Sequence, residues 1–197
     1  MTGFIIEHAI LSSIRLNGLN IGKGMGIGIG KGMGTGIGKG MALKTIRGCS
    51  VNTDVMNEPV LYRPQISNYA AIDGMIILIK SKKNEGEKSK LLMVPIQITI
   101  QKSGHSDSHA AFLEKYHHWT KGLSEFDVEL DFVWITPERR DVIEHEAVWT
   151  TPKQRRAKKD NPEPKLISPK HIERWIPIED VCAQTWRQYQ SALEAAG

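Results

Sequence analysis

The chain has 197 residues, 40% of them hydrophobic and 24% charged, with five tryptophans, two cysteines and a net charge of +4. That length and balance fit one domain with a conventional apolar core and exclude a disordered or fibrous chain. Cys49 and Cys182 lie far apart, outside any Cys-x-x-Cys or Cys/His spacing, which argues against a zinc finger and for a reduced compartment.

Residues 4–16 set Ile5, Ala9, Ser12 and Leu16, and likewise Ile6, Ile10 and Ile14, three or four residues apart, a spacing that predicts a helix with Gly18 as its terminator. Glu7 and His8 interrupt the apolar residues around them, so no secretory signal is expected. No run approaches the roughly 18 apolar residues of a membrane span. The expected location is intracellular, cytoplasmic or nuclear, with no membrane partner.

Residues 21–44 hold three copies of an eight-residue repeat, beginning at Ile21, Ile29 and Ile37, in which nearly every second residue is glycine. Glycine loses the most backbone freedom on ordering and offers no side chain to bury, so residues 21–41 read as an inserted loop. The pairs Gly22-Lys23, Gly30-Lys31 and Gly38-Lys39 invite comparison with a phosphate-binding loop. Each is followed by glycine rather than Ser/Thr, and the position five before each pair is Asn17, Met25 or Met33, so that motif fails. Residues 1–49 hold six Lys/Arg and one acid, net +5, which leaves −1 for the remainder. A local basic excess of this kind suits a polyanionic partner such as nucleic acid, and also serves solubility alone.

Residues 42–46 suit a short strand, and residues 59–64 an extended segment constrained by Pro59 and Pro64. Residues 69–79 and 91–100 are nearly continuous apolar runs flanking a polar stretch, which predicts a hairpin at the centre of a sheet covered on both faces. Asp73, Gln97 and Thr99 are the polar positions within those runs. Ser106 or Asp107 can cap a helix carrying Phe112, Tyr116 and Trp119, closed by Gly122. Residues 128–135 form a strand ending at Thr136-Pro137, and residues 142–149 a further short one. Residues 152–169 are basic and proline-rich and read as a solvated loop or a nucleic-acid or nuclear-import patch. Ile178 begins the last helix, with Val181, Trp186, Tyr189 and Leu193 on its apolar side. The five tryptophans suit core or edge packing better than base stacking. This order implies a layered α/β or α+β domain, a mixed sheet flanked by helices, over residues 1–197.

Alternate strand residues point the same way, so Gln97 and Thr99 share a face beside the strand that carries Asp73. A carboxylate next to an amide and a hydroxyl can ligate a hard cation together with waters. Equally, the three can form a closed hydrogen-bond set that positions the sheet. His105 can act as an acid or base near neutral pH, or only bond backbone at the helix start. His105 and His109 share i, i+4 spacing, but no neighbouring Cys or His completes a zinc site in the sequence.

Residues 3–8 opening a helix, Leu61-Tyr62-Arg63-Pro64 leading to residues 68–73 with their Ile72-Asp73 pair, then Pro95-Ile96-Gln97-Ile98-Thr99 followed by His105, together resemble the C-terminal region of Crinkler and RHS-type proteins of fungi and oomycetes. That region is similar to the PD-(D/E)XK nucleases. The resemblance covers roughly residues 1–136, interrupted by the glycine repeat. It implies a restriction-endonuclease-like core and magnesium- or manganese-dependent cleavage of DNA or RNA. Glu7 would be the helix carboxylate, Asp73 the central metal ligand, and Gln97 the residue in the Glu/Gln slot, these three holding the metal.

Thr99 stands where many members of that superfamily place lysine, and a neutral hydroxyl cannot stabilise developing negative charge by Coulombic attraction. Lys102 lies three residues on and points to the opposite face of an unbent strand. Lys102 and His105 are the residues available to assist proton transfer. Two further readings follow. One is a nuclease-fold module that binds nucleic acid or protein without cutting, and the other is an effector or mobile-element fragment that works behind an upstream ATPase module.

Overall fold

The computed structural model describes residues 2–21, 36–37, 44–48, 59–64, 71–80, 86–100, 106–149 and 166–196. The first helix, α1, runs Thr2–Asn17. Of its two apolar sets, Ile6, Ile10 and Ile14 are buried, whereas Ile5 and Leu16 remain exposed. Gly18 closes it as expected, with φ +71° and its N–H donated to Ile14 O at 2.8 Å.

Short strand β1 (Leu19–Asn20), just before the glycine repeat, pairs antiparallel with β2 (Gly36–Ile37) inside it, and residues 22–35 and 38–43 lie outside the described residues. The strands β3 (Lys44–Gly48), β4 (Val60–Pro64), β5 (Gly74–Lys80) and β6 (Ser89–Ile98) follow. Next come the helices α2 (Ser106–Glu114) and α3 (Tyr116–Trp119), and strand β7 (Phe126–Thr136). The chain continues through β8 (Ile143–His145), β9 (Val148–Trp149), β10 (Leu166–Ser168) and β11 (His171–Pro177), and closes with α4 (Ile178–Ala196).

One seven-stranded sheet, ordered β3-β4-β5-β6-β7-β11-β8, organises the chain. It is mixed: β4-β5, β5-β6 and β11-β8 are antiparallel, while β3-β4, β6-β7 and β7-β11 are parallel. The fold is therefore α+β, with helices on both faces. Strand alternation divides the core in two. Ile76, Val94, Ile96, Val133 and Ile135 face α1 and α4. Met75, Ile77, Met93, Phe132 and Trp134 face α2 and α3. Gly74 brings α1 close to the sheet, because a Cβ there would lie 3.0 Å from the Leu11 side chain.

Several expected boundaries shift. The strand expected over residues 69–79 begins at Gly74, with Ala71 and Asp73 in a turn and bend before it. The helix expected to reach Trp119 breaks at Lys115 into α2 and α3. The strand expected over residues 142–149 is two strands that pair with different partners. Residues 171–177, left unassigned by the sequence, form the second strand from one edge of the sheet. Of the tryptophans, Trp119, Trp134 and Trp186 are buried, Trp175 is partly buried, and Trp149 is 55% exposed. Among the described residues no helix is long and apolar enough to cross a membrane.

Candidate functional site

The sheet opens at the end of the β5-β6 ladder. Gly74 is the last β5 residue paired with β6, opposite Ile96. One residue earlier the Asp73 backbone N–H still donates to Ile96 O at 2.8 Å. The next β6 amide turns to a side chain instead: Ile98 N–H donates to Asp73 Oδ2 at 2.6 Å. Gln97 Nε2 donates to the same oxygen at 2.8 Å. Asp73 and Gln97, placed side by side by the sequence reading, are thus in direct contact.

Glu7, on α1, acts on the same aspartate through its charge. Its carboxylate adds to the electrostatic load on Asp73, whose pKa is pushed up to about 7, first by burial and then by Glu7, against the pull of the Ile98 N–H. Burial also raises Glu7. Glu7 comes from the helix side that packs on Ile76 and Val94. Gln97, alternating with Leu91 and Met93, belongs to the α2 side. Asp73 sits where the sheet ends and is approached from both. Among the described residues, Glu7 and Gln97 do not hydrogen-bond each other.

Gln97 is 8% exposed, and among the described residues its buried Oε1 has no hydrogen-bond partner. A buried acceptor left unpaired costs roughly 1–3 kcal/mol, and this one belongs to the side chain that touches the central carboxylate. Asp73 and Gln97 bring a carboxylate and an amide oxygen together, groups of the kind hard cations take as ligands, while Glu7 acts on Asp73 from the other face of the sheet. The same groups with Asp73 protonated make a self-contained hydrogen-bond cluster.

Thr99 lies just beyond β6, 5% exposed, and its N–H donates to Ile135 O at 3.0 Å. Lys102, His105, Cys49 and the basic loop up to residue 165 lie outside the described residues. The sequence did not single out a pair beside the site: His8 follows Glu7, and its Nε2 lies 3.2 Å from Arg63 Nη2 on β4. Arg63 sits between Tyr62, which pairs with Met75, and Pro64, so its place next to the β5 start was the available signal. No family model, curated protein or solved structure matches this chain.

Proposed function

We propose that the chain is a restriction-endonuclease-like, magnesium-dependent nuclease of the Crinkler and RHS-type kind, acting on DNA or RNA at the open end of β5 and β6. The observation that carries this reading is the contact of Asp73 with Gln97, distant in sequence, at a carboxylate whose pKa is raised by burial and by the charge of Glu7. Glu7, Asp73 and Gln97 Oε1 would hold the metal. A divalent ion bound there offsets phosphate charge and lowers the pKa of a bound water. Arg63 and His8 flank the site. In this reading they meet the phosphate, and Lys102 or His105 assists proton transfer.

The test is incubation of the purified chain with plasmid and single-stranded DNA and with RNA, in magnesium or manganese. Cleavage that disappears in Asp73→Ala and Glu7→Gln supports the proposal. A folded parent chain that cuts none of these under either metal overturns it.

One observation favours a second reading, a nuclease-fold module that binds nucleic acid or protein without cutting, as an effector or mobile-element fragment or behind an upstream ATPase module. Asp73 Oδ2 already accepts two hydrogen bonds, and Thr99 fills the place of a lysine. DNA retention that falls with salt and is unchanged in Asp73→Ala, without cleavage, identifies that module.

A further inference from the structure

At one side of the sheet, β8 and β11 continue past its end as a two-stranded ribbon. Strand β8 pairs antiparallel with β11 from Ile143 opposite Glu173 to His145 opposite His171. The same two stretches of chain then pair again as β9 and β10, Val148 with Ser168 and Trp149 with Leu166. Across the step between the two ladders, Lys170 Nζ donates to Glu146 Oε1 at 2.9 Å.

The root of the ribbon is tied to the body by a closed set of contacts. Glu173 accepts Trp134 Nε1–H at 2.6 Å, and its other oxygen lies 2.9 Å from His145 Nε2. His109 Nε2 on α2 and His171 Nε2 face each other at 2.9 Å, and the His145 ring stacks on that of His171. The ribbon therefore leaves the domain from a fixed base.

What the ribbon and its approach carry is apolar. Val142, Ile143, Val148 and Trp149 are 45–55% exposed, and they make up four of the seven large apolar side chains left exposed among the described residues. Exposed apolar side chains scattered singly are ordinary, whereas several together mark a surface that another molecule covers. Trp149 also departs from the packing role expected of the tryptophans, since Trp119, Trp134 and Trp186 are buried and its indole is open.

Charge identifies the occupant. The sixteen residues between Trp149 and its partner Leu166 hold Lys153, Arg155, Arg156, Lys158, Lys159 and Lys165 against Asp160 and Glu163. Six cations less two acids give +4, equal to the net charge of the whole protein. Because both ends of this segment belong to the ribbon, none of its cations is more than eight residues from β9 or β10, a reach of at most about 28 Å. A partner offering apolar side chains alone would leave those cations uncompensated, whereas a phosphate backbone compensates them. Unpaired nucleic acid presents both contacts at once, base faces that stack on an aromatic ring and phosphates that run beside cations. A duplex keeps its base faces stacked on one another.

We infer that the β9 end of the ribbon, with the Trp149 indole as its stacking face, is a docking surface for single-stranded nucleic acid. It is separate from the Asp73 site. Ile98, whose N–H bonds Asp73, pairs with Ile135, and Ile135 pairs with Ile176. From Ile176 the strand runs back five residues, roughly 17 Å, to His171 before the β9-β10 ladder begins. Docking therefore requires neither a metal nor the proposed cleavage, and it stands or falls apart from that reading.

The experiment follows the fluorescence anisotropy of labelled oligo-dT, oligo-rU and a duplex of equal length, titrated with the full chain in EDTA, which prevents metal-dependent cleavage. Both single strands should bind more tightly than the duplex, with log affinity falling against log salt by about 0.7 for each phosphate contact. Trp149→Ala should weaken binding by about 5- to 100-fold, the usual cost of losing one stacked base, and Trp149→Phe should restore most of it. Binding should quench tryptophan fluorescence in the parent and much less in Trp149→Phe. Circular dichroism should find these chains equally folded, because the position is exposed. Asp73→Ala should bind as the parent does. The inference is overturned if the folded parent binds neither single strand, if folded Trp149→Ala binds undiminished, or if Asp73→Ala abolishes binding. A duplex bound as tightly as the single strands, or self-association in sedimentation that is lost in Trp149→Ala, assigns the surface to another occupant and overturns it as well.

Discussion

Asp73 accepts the backbone N–H of Ile98 through its side chain, at 2.6 Å, where a continuing strand would have offered a carbonyl. The aspartate therefore ends the β5-β6 ladder and also accepts the Gln97 amide, within the field of Glu7. An acceptor at this position is needed whatever the protonation state, whereas a charge is not.

That distinction makes stability depend on pH. An acid raised from 3.8 to about 7 on folding binds its proton more tightly in the folded chain. Its stabilising effect is full below pH about 4 and is lost as the pH rises to about 7. The loss is on the order of a few kcal/mol, and Glu7, raised by burial, adds to it with the same sign. Asp73→Asn keeps an oxygen for Ile98 and removes the charge. Urea unfolding should find it more stable than the parent at pH 8 and equal at pH 4, and equal stability at pH 8 would contradict a raised Asp73. Magnesium at pH 8 should raise the melting temperature of the parent and leave that of Asp73→Asn unchanged.

The proposed nuclease function predicts that substitutions toward the PD-(D/E)XK pattern strengthen cleavage. Gln97→Glu adds a third carboxylate, which should tighten magnesium binding and lower metal-free stability at pH 8, since a like charge beside Asp73 raises it further. Thr99→Lys supplies the missing cation. The double variant should cut plasmid faster than the parent, by roughly 10-fold or more if the lysine stabilises charge in the transition state. A double variant that folds, binds magnesium and cuts no faster than the parent counts against the roles proposed for Gln97 and Thr99.

At Gly74 a methyl group would meet Leu11 Cδ2 at 3.0 Å. Because a leucine tip can yield, Gly74→Ala should cost about 1 kcal/mol, and Gly74→Val about 1–3 kcal/mol, by overpacking. Leu11 lies one turn beyond Glu7, so the larger substitution also lifts the carboxylate away from Asp73. Under the proposed nuclease function, cleavage should fall more than stability does, which activity assays on the folded Gly74→Val chain would check.

Arg174 Nε donates to both carboxylate oxygens of Asp131, at 3.0 and 2.8 Å, and both residues are nearly fully buried. Burial pushes Asp131 up to about 6 against the pull of Arg174. Arg174→Met should destabilise the chain by about 3–5 kcal/mol at pH 8, because it strands a buried charge. The loss should shrink at pH 5, where Asp131 takes up a proton. Replacing both with apolar residues should recover most of the stability, and chemical denaturation of the two variants decides it.

Periodicity displayed most of the elements. Ile6, Ile10 and Ile14 announced α1, and Gly18 its end. The apolar runs around Ile76 and Val94 announced the central strands, because side chains covered on both faces leave a continuous signature. Strand β11 escaped because its outward and inward residues are both polar: His171 and Glu173 on one face, Arg174 on the other, each neutralised by a partner that only the tertiary fold supplies. The contact between Asp73 and Gln97 was legible from neighbouring strands. Glu7 came from the family resemblance alone, since a glutamate on a helix carries no local mark of what it faces. The His145 and His171 partners of His109 were invisible, being tens of residues away.

The helix bearing Glu7 is anchored late in synthesis. Ser13 donates its hydroxyl to Val181 O at 2.8 Å, and Ile10 and Ile14 share a core with Trp186. A nascent chain on the ribosome thus leaves the part of the α1 stripe that packs on α4 uncovered until residues 178–189 have emerged, because contacts so far apart in sequence form last. A chain stalled or truncated before α4 would keep that apolar surface open to other chains.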